Sequence, residues 1–275
     1  MLAYVIITFR ETLEVGLLIS LVWRVIHESG ATSLYKWLTG GLIAGLLTSV
    51  AAGIGLVAIS ERIPETYETV FEGSIMLIGA GLLTTLIIWL SHNRGHITAL
   101  KASVASSVQA YQPWAIFLLV YTSILREGIE TVIFIQAARY STNAYPVTGA
   151  LIGVIAGIAL CYMAFKGLRA IPMRHFFTVS SVLLIAFAAG LVAHGVHELQ
   201  SAGIIPVLTA ELWDINPKSL NPGQYPLWHE KGLIGSLLKG LFGYNGNPTQ
   251  LEVLVYSAYI AVIALLYRRP IKAQS

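Results

Sequence analysis

Apolar residues fill seven long stretches of this chain, and polar residues collect in the gaps between them. The stretches run Leu2–Val25, Leu38–Ile59, Thr69–Leu90, Pro113–Ala138, Val147–Phe165, Phe176–Leu199 and Leu251–Tyr267. A run of about 20 apolar residues, at about 1.5 Å of rise per residue, carries a helix across ~30 Å of hydrocarbon. Runs of this length without strict alternation favour helix over strand. The pattern therefore predicts an all-α polytopic membrane protein with seven transmembrane helices.

Composition agrees. Of 275 residues, 56% are hydrophobic and 11% charged, and the mean hydropathy is +0.71, outside the range of soluble domains. Residues Met1 to Phe9 lack the basic n-region of a signal peptide, so the first stretch is expected to remain as a span. The single cysteine, Cys161, offers no intrachain disulfide and no thiolate cluster. The formal charge of +3 comes from basic residues scattered over short loops, a pattern that argues against nucleic acid as a partner and fits membrane topology. With the N-terminus outside, Arg24, Lys36, Arg94, Lys101, Lys166, Arg169, Arg174, Arg268, Arg269 and Lys272 fall inside. Only Arg62 and Arg139 lie in short outer loops, while Lys218, Lys231 and Lys239 share one long loop that weighs little. Trp23, Trp37, Trp89 and Trp114 then gather at the inner interface, which agrees with an N-out, C-in orientation.

Two interruptions of the apolar pattern change the picture. Arg10-Glu11-Thr12-Leu13-Glu14 lies within the first stretch and Arg126-Glu127-Gly128-Ile129-Glu130 within the fourth. A charge near mid-bilayer costs ~2.5–3.5 kcal/mol on insertion scales, so six of them point to an ion or substrate site. Spacings of three and four residues bring each motif's arginine and two glutamates to one side of a helix. Each motif begins a block of three stretches. Gly41-xxx-Gly45 in the second has its counterpart in Gly149-xxx-Gly153-xxx-Gly157 of the fifth, and Ala80-Gly81-Leu82-Leu83 in the third resembles Ala189-Gly190-Leu191-Val192 of the sixth. Blocks of three spans run in opposite senses. The expected organisation is one membrane domain, 1–275: inverted repeats at 1–91 and 112–203, an outer loop at 204–250 and a seventh helix at 251–268. Such repeats bring their shared site to the midplane. The glycine spacings read as helix packing rather than as binding.

Four facing glutamates supply only oxygen ligands, which suit a hard cation and disfavour Cu(I) or Zn. The two motifs together carry four negative and two positive charges, so a divalent ion would neutralise them. Metal binding at carboxylates competes with protons, which ties transport to pH. The metal ligands expected are Glu11, Glu14, Glu127 and Glu130, with Arg10 and Arg126 beside them. Glu65, Glu68 and Glu72, following Glu61, descend from the outer side into the third span, and His194, His197 and Glu198 end the sixth on the same side. These six form a candidate outer relay. The histidines do not make a His-Glu-x-x-His zinc motif, and no phosphate-binding loop occurs. No catalytic residue is expected and the chain is read as no enzyme; an intramembrane glutamate and histidine protease is the weaker alternative. The long loop carries an amphipathic stretch, Leu233 to Phe242, expected to lie at the membrane interface.

The paired motifs, with Phe71-Glu72-Gly73 and His197-Glu198-Leu199-Gln200, resemble the oxidase-dependent iron transporter family, whose signature is Arg-Glu-x-Leu-Glu or Arg-Glu-x-x-Glu, in its bacterial EfeU type. The likeness spans nearly the whole chain. It implies iron ions as the transported substrate, with no permanently bound cofactor, and gives the iron-coordinating role to Glu11, Glu14, Glu127 and Glu130. It also implies a bacterial inner membrane and lipid surroundings, with periplasmic iron-binding or oxidase proteins as partners. A permease for another heavy-metal cation is the nearest alternative.

Overall fold

In a computed structural model the described residues are 2–92, 104, 106–108, 110–142, 147–165, 173–207, 211–217, 225–230 and 232–268. Every long regular element among them is a helix, and there is no strand among them. The helices are α1 (Leu2–Ser29), α2 (Tyr35–Ser60), α3 (Glu65–His92), α4 (Pro113–Thr142), α5 (Val147–Phe165), α6 (Met173–Ser201), α7 (Leu233–Phe242) and α8 (Gln250–Arg268), with a short 3-10 turn at Thr32–Leu34. Most run past the predicted stretches, because their polar ends continue the helix beyond the apolar part.

The boundaries have local causes. Gly30, Gly203 and Gly243 adopt the left-handed conformation (φ +69°, +73° and +67°) just beyond α1, α6 and α7, where a side chain would be strained. Pro113 opens α4, where its missing N–H costs nothing. At the start of α8, Thr249 and Glu252 cap one another: Glu252 N–H donates to Thr249 Oγ1 at 3.3 Å and Thr249 N–H to Glu252 Oε1 at 3.1 Å.

α1 packs along α5, α2 along α4 and α3 along α6; α4 also meets α1 and α3, and α8 leans on α6. Two apolar clusters divide the bundle lengthwise. One gathers Tyr4, Ile7, Met76, Leu83, Phe134 and Leu191 from α1, α3, α4 and α6. The other gathers Val22, Ile26, Leu34, Leu38, Ile116 and Val120 at the opposite end. The two charged motifs lie along the chain between these clusters.

The glycines act as the packing reading expects. A Cβ on Gly41 would lie 2.7 Å from the Phe117 carbonyl, and one on Gly45 2.9 Å from Ile124 Cβ, both on α4. Gly157 meets α1 in the same manner, 2.8 Å from Thr12 Cβ. Small residues here let backbones approach and replace a hydrophobic drive that lipid does not supply. α7 packs against α6, α4 and α1. Gly243, which caps α7, sits against Gly190 within α6 in a contact that only a pair of glycines permits, so this part of the loop packs on the bundle.

By hydropathy and length, Thr32–Ser60 and Ser180–Ser201 are the described helices long and apolar enough to cross a membrane, and Val147–Met163 and Gln250–Leu266 are apolar over shorter lengths. α1 and α4 carry the motif charges within them. Large apolar side chains project outward from α2 (Ile43, Leu47, Ile54) and α5 (Leu151, Ile155, Ile158), a surface suited to acyl chains. Trp37 and Trp114 pack at 4.9 Å, and Trp23 stacks on His27 at 5.0 Å, at the end made by the C-terminal part of α1 and the first turns of α2 and α4. Of the loop cations, Arg94, Lys101, Lys166, Arg169, Lys218, Lys231, Arg269 and Lys272 lie outside the described residues, as does the side chain of Trp89.

Replacing Gly45 by Leu is expected to destabilise the bundle by about 1–3 kcal/mol through overpacking. Gly55→Ala, where nothing lies within 4 Å of the added Cβ, should be neutral or stabilising. Thermal unfolding in detergent, followed by circular dichroism, tests both; equal melting points would refute the packing role.

Candidate metal site

Glu11, Glu14 and Glu127 offer carboxylate oxygens that all lie within 4.8 Å of one another. α1 supplies the first two from adjacent turns and α4 the third, at the place where the two helices meet. Arg10 completes the group. Its side chain is 1% exposed; Nη2 lies 2.7 Å from Glu14 Oε1 and Nη1 3.5 Å from Glu11 Oε1. One guanidinium thus holds both α1 carboxylates, yet does not satisfy them. Arg10 Nε, Glu11 Oε2 and Glu127 Oε2 are buried without a hydrogen-bond partner. Buried polar atoms left open in this way are costly, and a cation bound between the carboxylates would occupy their free lone pairs.

The second motif is arranged differently. Arg126 Nε donates to Glu130 Oε1 at 2.9 Å, and the arginine side chain is 54% exposed. Glu130 is buried and its Oε2 lacks a partner, but it does not join the three converged carboxylates. The structure therefore brings together three of the four expected ligands and holds the fourth on its own arginine.

Glu11 and Glu127 also line a cavity of about 800 Å³ between α1, α2, α4 and α5. Its wall continues along α1 through Val15 and Ile19 to Trp23, with Ser20, Ser49 and Thr131 as occasional hydroxyls.

The six candidate relay residues divide into groups. Glu65 and Glu68 are exposed on the first turn of α3, and Glu72 is half-buried one turn further. Gly73 and Gly195 let α3 and α6 approach closely, and a Cβ on Gly73 would lie 3.2 Å from Glu198 Cβ, so Glu72 lies within electrostatic reach of Glu198. His194 is buried and turned inward, its Nδ1 3.1 Å from the Gly190 carbonyl oxygen. His197 is half-exposed, with Nδ1 2.8 Å from Glu252 Oε1. Glu252 was not among the expected residues. It is almost fully buried and also accepts from Asn245 Nδ2 at 2.8 Å and from the Thr249 backbone N–H. The Thr249-x-x-Glu252 spacing, a helix-start signature, was the sequence signal for its cap role. Nothing in the sequence showed the pairing with His197.

The family profile of the iron permease FTR1 family matches residues 1–270. The chain belongs to that family. An uncharacterized protein of Archaeoglobus fulgidus is 27% identical over 273 residues, covering 98% of this chain and 95% of its own. The ferrous iron permease EfeU of Shigella sonnei is 26% identical over 276 residues, with the same coverage, and that of Yersinia pestis is 25% identical over 272 residues, covering 96% and 92%. No solved structure matches the chain. Membership makes this a membrane protein of iron transport, and the helical fold agrees.

Arg10→Ala would strand Glu11 and Glu14 without their cation. It is expected to cost about 3–5 kcal/mol, the scale for removing one partner of a buried pair. The exposed pair Arg24–Glu28, at 2.8 Å, is screened by solvent, so Arg24→Ala should melt close to the parent. Melting curves of the two variants test the contrast, and a parent-like Arg10→Ala would remove the pairing argument.

Proposed function

We propose that this protein is an iron permease of a bacterial inner membrane that moves iron ions into the cytoplasm through a midplane site built from both motifs. The observation that carries the reading is the convergence of Glu11, Glu14 and Glu127 within 4.8 Å beside a buried arginine, in a chain of the iron permease family. Glu130 is the fourth carboxylate of the site. Oxygen ligands and a net negative charge suit iron as a hard cation, and no resident cofactor is needed.

Seven spans with the N-terminus outside carry this site, as two inverted repeats and a final helix. The helix pairing supports the repeat: α1 with α5 corresponds to α4 with α2, and α3 with α6 corresponds to itself. The two glycine series, each seated on the other repeat's motif helix, follow the same exchange. Glu65, Glu68, Glu72, His197 and Glu198 then form an acidic outer mouth, with His194 behind it, and the cavity toward Trp23 leads to the cytoplasmic side. Periplasmic iron-binding or oxidase proteins would deliver the ion to that mouth. A protease reading finds no support, because His194 and His197 bond to Gly190 and Glu252 rather than to the motif glutamates.

Glu14→Gln and Glu127→Gln should each lower iron uptake by about tenfold or more while leaving the protein folded, since loss of one charged ligand removes at least ~1.4 kcal/mol. Uptake into proteoliposomes, with Fe(II) and Fe(III) supplied separately, measures this; parent-like uptake by both variants would overturn the site.

Direction is checked in a Cys161→Ser background, where Glu65→Cys should react with an impermeant thiol reagent on intact cells and Lys36→Cys should not. Reversed labelling would invert the orientation.

A further inference from the structure

The two motif helices are gripped in the same register. A Cβ on Gly45 of α2 would meet Ile124 and the Tyr121 carbonyl of α4, and a Cβ on Gly153 of α5 would meet Thr8 and the Val5 carbonyl of α1. Ile124 and Tyr121 stand two and five residues before Arg126, as Thr8 and Val5 stand before Arg10. One turn further along the gripping helices, this register sets Ser49 against Gly128 and Gly157 against Thr12, at the third residue of each motif. Here the two contacts exchange their side chains. In the first, the motif helix supplies it: Thr12 Cβ lies 2.8 Å from where a Cβ on Gly157 would stand. In the second, the neighbour supplies it: a Cβ on Gly128 would fall on Ser49 Oγ, so the serine fills the place of a motif side chain. Alanine would serve packing at either place, yet each contact carries a hydroxyl.

Both hydroxyl residues line the cavity, together with Glu11 and Glu127. Most of its wall is apolar, so their oxygens are among the few that an ion leaving the carboxylates can meet. Glu11 Oε2 and Glu127 Oε2 are buried without a hydrogen-bond partner. Ser49 Oγ donates its proton to the Gly45 carbonyl at 2.8 Å, which leaves the oxygen's lone pairs for a cation. We propose that Thr12 and Ser49 are hydroxyl ligands of the transported ion, forming with Glu11 and Glu127 a second ion position on the cavity side of the site. Each motif contact gives it one carboxylate and one hydroxyl. The set is all oxygen and carries two negative charges, which suits a hard divalent cation. In passing from the three converged carboxylates to this position, the ion exchanges Glu14 for two neutral oxygens. Its attraction to the protein falls with the charge it faces, and a site that conducts must hold its ion weakly enough to release it.

The inference rests on the site proposed above, and rate measurements separate the two. Fe(II) uptake by the full chain in proteoliposomes is followed against ion concentration, beside melting in detergent. Thr12→Val and Ser49→Ala remove the hydroxyl and nearly keep the shape. Each should lower the maximal uptake rate by about threefold to tenfold, with melting close to the parent. The half-saturating concentration, set by the three carboxylates, should stay within about twofold. Thr12→Ser, which keeps the oxygen, should recover the rate. Exchanging the side chains of the second contact separates oxygen from packing. Gly128→Ser alone should overpack against Ser49 and lower the melting point. Combined with Ser49→Gly it copies the first contact, and should recover both melting and rate. Gly128→Ala combined with Ser49→Gly should recover melting and not rate. If Thr12→Val and Ser49→Ala transport at the parent's rate, or if the alanine exchange restores the rate as fully as the serine exchange, the hydroxyl ligands are refuted. Loss of uptake in Glu14→Gln and Glu127→Gln beside a parent-like rate in the hydroxyl variants would leave the site intact and overturn this inference alone.

Discussion

Arg10 lies almost wholly out of solvent between two apolar clusters, with Glu14 at 2.7 Å and Glu11 at 3.5 Å, and the centre of the bundle is arranged around it. A bare carboxylate at this depth would be prohibitively costly, and three of them would repel one another strongly. One guanidinium lowers that cost without cancelling it. The remainder, two uncompensated negative charges and several oxygens without hydrogen bonds, is what makes the group useful: it is an arrangement whose missing partner is a cation. Complete neutralisation would give a structural ion cluster with no reason to bind anything.

Holding such a group in place requires helices that meet closely, and the glycines provide the approach. α2 seats Gly41 and Gly45 on α4, and α5 seats Gly157 on α1, so each motif helix is gripped by a helix with no Cβ at the contact. Ser49 Oγ, which donates to the Gly45 carbonyl at 2.8 Å, and Thr8 Oγ1, which donates to Tyr4 and Ala150 carbonyls at 2.8 and 3.0 Å, sit in the same two contacts. Close packing of this kind transmits small displacements. Movement of either outer helix would therefore be felt at Glu11 or Glu127, the two carboxylates that also line the cavity.

A second polar assembly ties together the end of the bundle where α6 stops and α8 starts. Glu252 is held by His197, Asn245 and Thr249, and Thr249 Oγ1 also donates to Gln200 Oε1 at 3.0 Å, so α6, α8 and the loop between them form one hydrogen-bonded unit. A carboxylate bound to Nδ1 fixes the imidazole's orientation and leaves Nε2 to face the opposite way. The inward fold of α7 against Gly190 brings Lys239 within electrostatic reach of His194, His197 and Glu198, which tempers the acidity of this end.

The chain's order alone determined the helical class, the two charged motifs, the glycine faces and the family, because each is written in local spacing: apolar runs of membrane length, charges three and four residues apart, and glycines every fourth residue. Spacing along one helix cannot say how that helix is rotated against another. For that reason the sequence treated Glu130 as the equal of Glu127 and Arg126 as the equal of Arg10, while packing buried one arginine and left the other half-exposed. It likewise showed His197 and Glu252 as unrelated residues, and did not show the seating of Gly243 on Gly190. Those outcomes depend on crossing geometry and on contacts between residues far apart in the chain, which only the tertiary structure decided.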